Sequence, residues 1–99
     1  MKLEKWTVNE YKLPDKYLWI EILPVVSNNE LPHRIVVDVG GKKIQAAAIT
    51  LAGAITRGLH MAGFPRVDRK ELARILFWRY GPPYPEWWKD AIGALEKGV

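Results

Sequence analysis

The chain has 99 residues, a formal charge of +4 and no cysteine, with apolar residues at 48% and charged residues at 26%. That is one domain's worth of sequence, able to bury roughly 65% of the surface of its unfolded form around one core, and residues 1–99 are read as a single domain. Without thiols there is no disulfide framework, thiolate metal site or cysteine nucleophile, while the basic balance favours acidic or polyanionic partners and is silent on fold.

The opening MKLEKWTVNE has no apolar h-region, so it is not expected to be a secretion signal. Leu3 to Val8 fits a short edge strand, with Trp6 and Val8 on one side, and Lys12-Leu13-Pro14-Asp15 fits a turn. From Tyr17 to Val26 the residues are β-branched and aromatic, with Leu18, Ile20 and Ile22 alternating with Trp19 and Glu21; this predicts a strand whose far end Pro24 places at an edge or bulge. SNNELP is a loop, and His33–Val39 and Lys42–Ala47 flank Gly40-Gly41 as a two-residue hairpin. The turn sets the register: Asp38 faces Lys43, Val37 faces Ile44, and Ile35 faces Ala46, so one face is apolar and the other carries opposite charges.

Near residue 48 the period changes to that of a helix. Leu51, Ile55, Leu59 and Ala62 form a stripe over 50–62, opposite Thr56, Arg57 and His60, and Ala54, Gly58 and Ala62 leave a small-residue groove where the helix can approach the sheet or another helix closely. Gly63, followed by Phe64-Pro65, ends the helix. Asp68 caps a second helix with Glu71 three residues on; Leu72, Ala73, Leu76 and Tyr80 face inward, Lys70, Arg74 and Trp78 outward, and Phe77 lies at the boundary. Gly81 stops it, and Pro82, Pro83 and Pro85 stiffen the connection to a last helix from Glu86 to about Lys97, with Trp88, Ala91, Ile92 and Leu95 on one face and Trp87 at its edge. The predicted fold is α+β: a small three- to four-stranded antiparallel sheet from the first half, covered by a helix, with two further short C-terminal helices. The apolar stretch from Ile44 to Phe64 carries Gln45, Arg57 and His60 and is too interrupted to span a bilayer, so a cytoplasmic protein is expected.

Catalytic chemistry finds little footing. His33 and His60 are the only histidines, and neither has an acid or hydroxyl placed near it by local sequence. There is no HxxxH, DxD, GxxxxGK or GxGxxG, so no metal, cofactor or enzymatic activity is expected. The segment from Val36 to Gly41 resembles the first-strand acid of RNase H-like and actin-like folds, but those need further acids late in the chain, and pairing with Lys43 accounts for Asp38.

The functional signal lies between Gly63 and Lys89, which holds seven of the eleven aromatic residues and six of the fifteen Lys and Arg. Arg66, Arg69, Lys70, Arg74 and Lys89 can track a phosphodiester backbone, while Trp78, Tyr84 and Trp87 can offer flat faces to bases. Single-stranded DNA or RNA is the expected partner, without a membrane, and a homodimer is allowed. Asn, Gln, Cys and Met total six against abundant Lys, Arg and Glu, a balance that points to a heat-adapted source. In the composition of RKELARILFWRYGPPYPEWWK and in its sheet-then-helices order, the chain resembles the single-stranded-DNA-binding protein of the Thermoproteales. The resemblance implies a small archaeal α+β domain with an apolar, aromatic cleft between basic rims. The alternative is a protein-interaction or oligomerisation domain, such as a small archaeal viral protein, whose Trp and Tyr residues form the contact.

Overall fold

The computed structural model describes residues 17–80 and 82–99. Three strands, β1 (Leu18–Ile22), β2 (His33–Val39) and β3 (Lys42–Ala48), form an antiparallel sheet in the order β1-β2-β3, followed by helices α1 (Leu51–Met61), α2 (Arg69–Arg79) and α3 (Trp88–Lys97). This is the α+β arrangement that the period change near residue 48 predicts. The expected strand at Leu3 to Val8, the turn at 12–15 and Gly81 lie outside the described residues.

The hairpin has the expected register, with Ile35 opposite Ala46, Val37 opposite Ile44 and Asp38 opposite Lys43. Gly40 and Gly41 both have positive φ, 59° and 92°, the backbone that a two-residue turn between twisted strands requires. Asp38 serves this turn, its Oδ1 accepting from the Gly41 amide at 2.9 Å, so facing Lys43 in register does not commit its carboxylate to an ion pair. β1 is shorter than the expected 17–26 because its paired ladder ends at Ile22, opposite Ile35, two residues before Pro24. Leu18, Ile20, Ile35, Val37 and Ala46 are buried on the sheet face that receives α1.

Thr50 caps α1, its Oγ1 accepting from the Gly53 amide at 3.0 Å. The buried face runs through Ala52, Ala54, Ile55, Gly58 and Leu59, with Leu51 and Ala62 only half-buried. It is thus rotated toward the small residues from the stripe expected of Leu51, Ile55, Leu59 and Ala62. Gly58 explains the rotation: a Cβ there would stand 2.7 Å from Ile35 Cδ1 and 2.9 Å from Val37 Cγ2, so the backbone rests directly on the sheet. Gly58→Ala would gain about 1 kcal/mol of helix propensity but incur roughly 1–3 kcal/mol of overpacking. The expected net loss is about 1 kcal/mol, seen as a Tm lower by about 4–8 °C; an unchanged Tm would mean that Ile35 yields freely. The helix closes with the Gly63 amide on the His60 carbonyl (3.2 Å) and the Phe64 amide on the Leu59 carbonyl (3.0 Å), the paired bonds of a Schellman cap, with Phe64 buried beyond it.

Asp68 caps α2 by accepting from the Glu71 amide at 2.9 Å. Leu72, Ala73, Ile75 and Leu76 are buried, and the chain leaves the helix at Tyr80, whose hydroxyl donates to the Leu18 carbonyl at 2.8 Å and so ties α2 to the first strand. At the C-terminal end of α3, Arg69 Nη1 donates to the carbonyls of Leu95 (2.9 Å) and Glu96 (3.1 Å), while the Ala52 amide near the start of α1 donates to the Val99 carbonyl (2.9 Å). These bonds satisfy helix ends that packing alone would leave unpaired.

The Tyr80 hydroxyl is pushed above its ordinary pKa of about 10, chiefly by burial and slightly by Tyr17, with the Arg79 side chain pulling the other way. Ionisation is therefore harder in the folded protein than in the unfolded one, so the stabilisation is complete below about pH 10 and is lost as pH rises through the higher folded value. Tyr80→Phe is expected to cost about 1 kcal/mol at neutral pH and to make the alkaline decline shallower. Denaturant melts of both proteins from pH 8 to 11 measure this, and parallel curves would contradict it.

Candidate nucleic-acid interface

Helical spacing puts Lys70, Arg74 and Trp78 on one side of α2, at intervals of four residues and over about 12 Å of axis. All three are exposed, Trp78 at 51%. With Ala73, Phe77, Ile92 and Glu96 they line a hollow of about 250 Å³ between α2 and α3. Its floor is apolar, two cations stand on the α2 rim, and Glu96 supplies one opposing charge from α3.

Beside it runs a row of aromatic rings. Tyr84, 43% exposed, stacks on Trp88 with centroids 4.1 Å apart and planes 22° from parallel, and Phe77 tilts against the same Trp88 at 6.0 Å. Phe77 is 55% exposed, further out than the boundary position expected of it. Phe77, Ile92 and Glu96 form a ridge shared with a larger groove of about 920 Å³, on whose rim Lys89 lies. The proline-bearing connector thus sets Tyr84 beside α3, with its ring half in solvent.

Two of the expected site residues do different work. Trp87 is a correction: at 5% exposure it is in the core, meeting Trp19 at 6.2 Å and Tyr80 at 5.4 Å in edge-on geometry, so it offers no face to a base. α3 begins at Trp88 rather than Glu86, and Trp87, Ala91 and Leu95 form its most buried line. Arg69 has its Nη1 committed to the end of α3, as described above. Arg66 stands apart from Lys70 and Arg74, in a second hollow with Arg57, His60 and Arg69.

Phe77 and Trp88 are the members of this surface that the sequence reading missed. Spacing does not separate the two tryptophans: Trp87 lies four and seven residues before Ala91 and Ala94, and Trp88 the same distances before Ile92 and Leu95, so both fall beside the core.

Arg74 Nη1 lies 2.7 Å from Glu71 Oε1. Both side chains are partly in solvent, Arg74 more than Glu71, and an exposed pair of this kind is worth roughly 0–1 kcal/mol. Among the described residues no group of three or more His, Asp or Glu is placed to hold a metal ion, and no helix is long and apolar enough to cross a membrane. No protein-family model, curated protein or solved structure matches the chain.

Proposed function

We propose that this protein is a single-stranded nucleic-acid-binding module that acts by binding alone, with the α2–α3 surface as its contact. The observation that carries the reading is Trp78, half-exposed in an apolar hollow whose rim holds Lys70 and Arg74. A large ring kept in water beside two cations suits a ligand that brings both a π face and a negative backbone. Tyr84, braced on Trp88, supplies a second platform, and Lys89 another cation.

Unpaired bases are favoured over duplex because stacking requires an open base face. The α1–α2 connection, residues 62–68 with Pro65 inside, is also longer than the tight turn of a helix-turn-helix reader. The resemblance to the Thermoproteales protein and the heat-adapted composition agree with an archaeal origin. A second reading, a protein-interaction domain, draws support from the 920 Å³ groove lined by Ile22, Leu51, Phe77 and Trp88.

Anisotropy titrations of the full chain with a labelled single strand, and with the same sequence as a duplex, test the proposal. Tighter binding to the single strand is expected. Equal affinity for both would remove the stacking argument, and binding to neither at micromolar concentration and low salt would leave the interaction reading.

A further inference from the structure

The hollow that holds Arg66 is built by α1 and the start of α2 and measures about 720 Å³, within the size range of small-molecule sites. Arg57, His60, Arg66 and Arg69 line it, and no Asp or Glu is among its described lining residues. Protein surfaces ordinarily intersperse the two signs of charge, so three guanidinium groups around one concavity, of which the α3 carbonyls answer Arg69 in part, hold a local positive potential that favours an anion.

The arginines are also held in place. Arg57 Nη1 donates to the Ala47 carbonyl at 3.2 Å, anchoring its guanidinium to the end of β3, and Arg69 Nη1 is held by the Leu95 and Glu96 carbonyls. A guanidinium has five donors in a rigid fork, so one corner can be anchored while others remain for a ligand. Arg66 is exposed and has no ion pair or hydrogen bond among the described residues. His60 Nε2 is sealed from solvent and has no partner among the described residues, so the ligand contacts fall to the arginines.

We infer that this hollow is a binding site for a phosphate group, with Arg57 and Arg66 as its principal contacts and Arg69 behind them. Paired arginine N–H donors match phosphate oxygens in bidentate geometry, which a monatomic ion such as chloride cannot use. The site lies apart from Trp78 and stands whether or not the α2–α3 surface binds strands. The phosphate can belong to a nucleic-acid backbone or to a free small molecule.

Titration of the full-length protein with inorganic pyrophosphate at constant ionic strength, followed by the arginine Nε–Hε NMR signals, tests the inference. Arg57 and Arg66 signals should move saturably, and Arg57→Ala and Arg66→Ala should each weaken binding about tenfold or more, while Trp78→Ala should leave it unchanged. Because Arg66 has no bond to lose, its variant should melt like the parent, which separates lost binding from lost folding.

Displacement of pyrophosphate by a single-stranded oligonucleotide would support the site and assign its phosphate to a strand. Retention of pyrophosphate in the presence of excess strand would support the site as one for a free phosphate compound. Pyrophosphate binding in a protein that binds no oligonucleotide would sink the proposed function and keep this site. Non-saturating shifts reproduced by chloride, or binding indifferent to both arginine substitutions, would overturn it.

Discussion

Replacing Trp87 by alanine should lower the free energy of unfolding by about 3–5 kcal/mol, the range for truncating a large buried aromatic. The ring is 5% exposed, and Trp19 and Tyr80 both meet it edge-on, so the substitution empties a space bordered by β1, α2 and α3 together. Against a total of roughly 5–15 kcal/mol for a single domain, that loss alone can unfold the protein near its working temperature. Trp87→Phe is the milder companion. It keeps an apolar ring at the site and removes an indole N–H that has no hydrogen-bond partner among the described residues, so it should cost well under half as much as the alanine variant. Urea melts of the two variants decide the matter. If Trp87→Ala melted like the parent and instead lost oligonucleotide affinity, the ring would be a base platform after all.

Trp78→Ala is expected to show the opposite pattern. The ring is half in solvent and stacks on no other aromatic ring among the described residues, so its removal should change stability by about 0.5 kcal/mol or less. It should weaken single-strand affinity by about 1–3 kcal/mol, the value of one base stacked on one ring, or roughly five- to 150-fold. Affinity for a duplex of the same sequence should change much less. The two tryptophans, nine residues apart, therefore give separable signatures: one in the melt, one in the titration. Unchanged strand affinity in the Trp78 variant would remove the main support for the α2–α3 surface.

The reason Trp87 and Trp78 were not told apart equally well is physical. Trp78 sits inside a helix whose cap at Asp68 sets the phase of every following position, so its place opposite Leu72 and Leu76 could be read directly. Trp87 sits at the start of a helix whose first turn follows three prolines, and it stands to Ala91 and Ala94 as Trp88 stands to Ile92 and Leu95, so helical spacing alone does not say which of the two adjacent tryptophans is the more buried. The hairpin was legible for the same reason as α2: Gly40-Gly41 leaves one register, and one register leaves one buried face. Burial of α1 through Gly58 was visible as a groove of small residues, although the stripe beside it looked equally apolar. The division of the basic residues was not legible. Whether Arg69 meets solvent or the carbonyls at the end of α3 depends on contacts between residues 26 and 27 positions apart, which no local pattern encodes.

The measurement that bears most directly on the α2–α3 surface is the salt dependence of single-strand affinity, followed by tryptophan fluorescence. With Lys70, Arg74 and Lys89 each neutralising one phosphate at about −0.7 per contact, the slope of log affinity against log salt should be roughly −2. Lys70→Ala and Arg74→Ala should each flatten it by about 0.7, and Trp78→Ala should lower affinity at every salt concentration while leaving the slope in place. A surface that quenches no tryptophan emission with micromolar strand at low salt, or whose slope ignores both Lys70 and Arg74, would contradict the account.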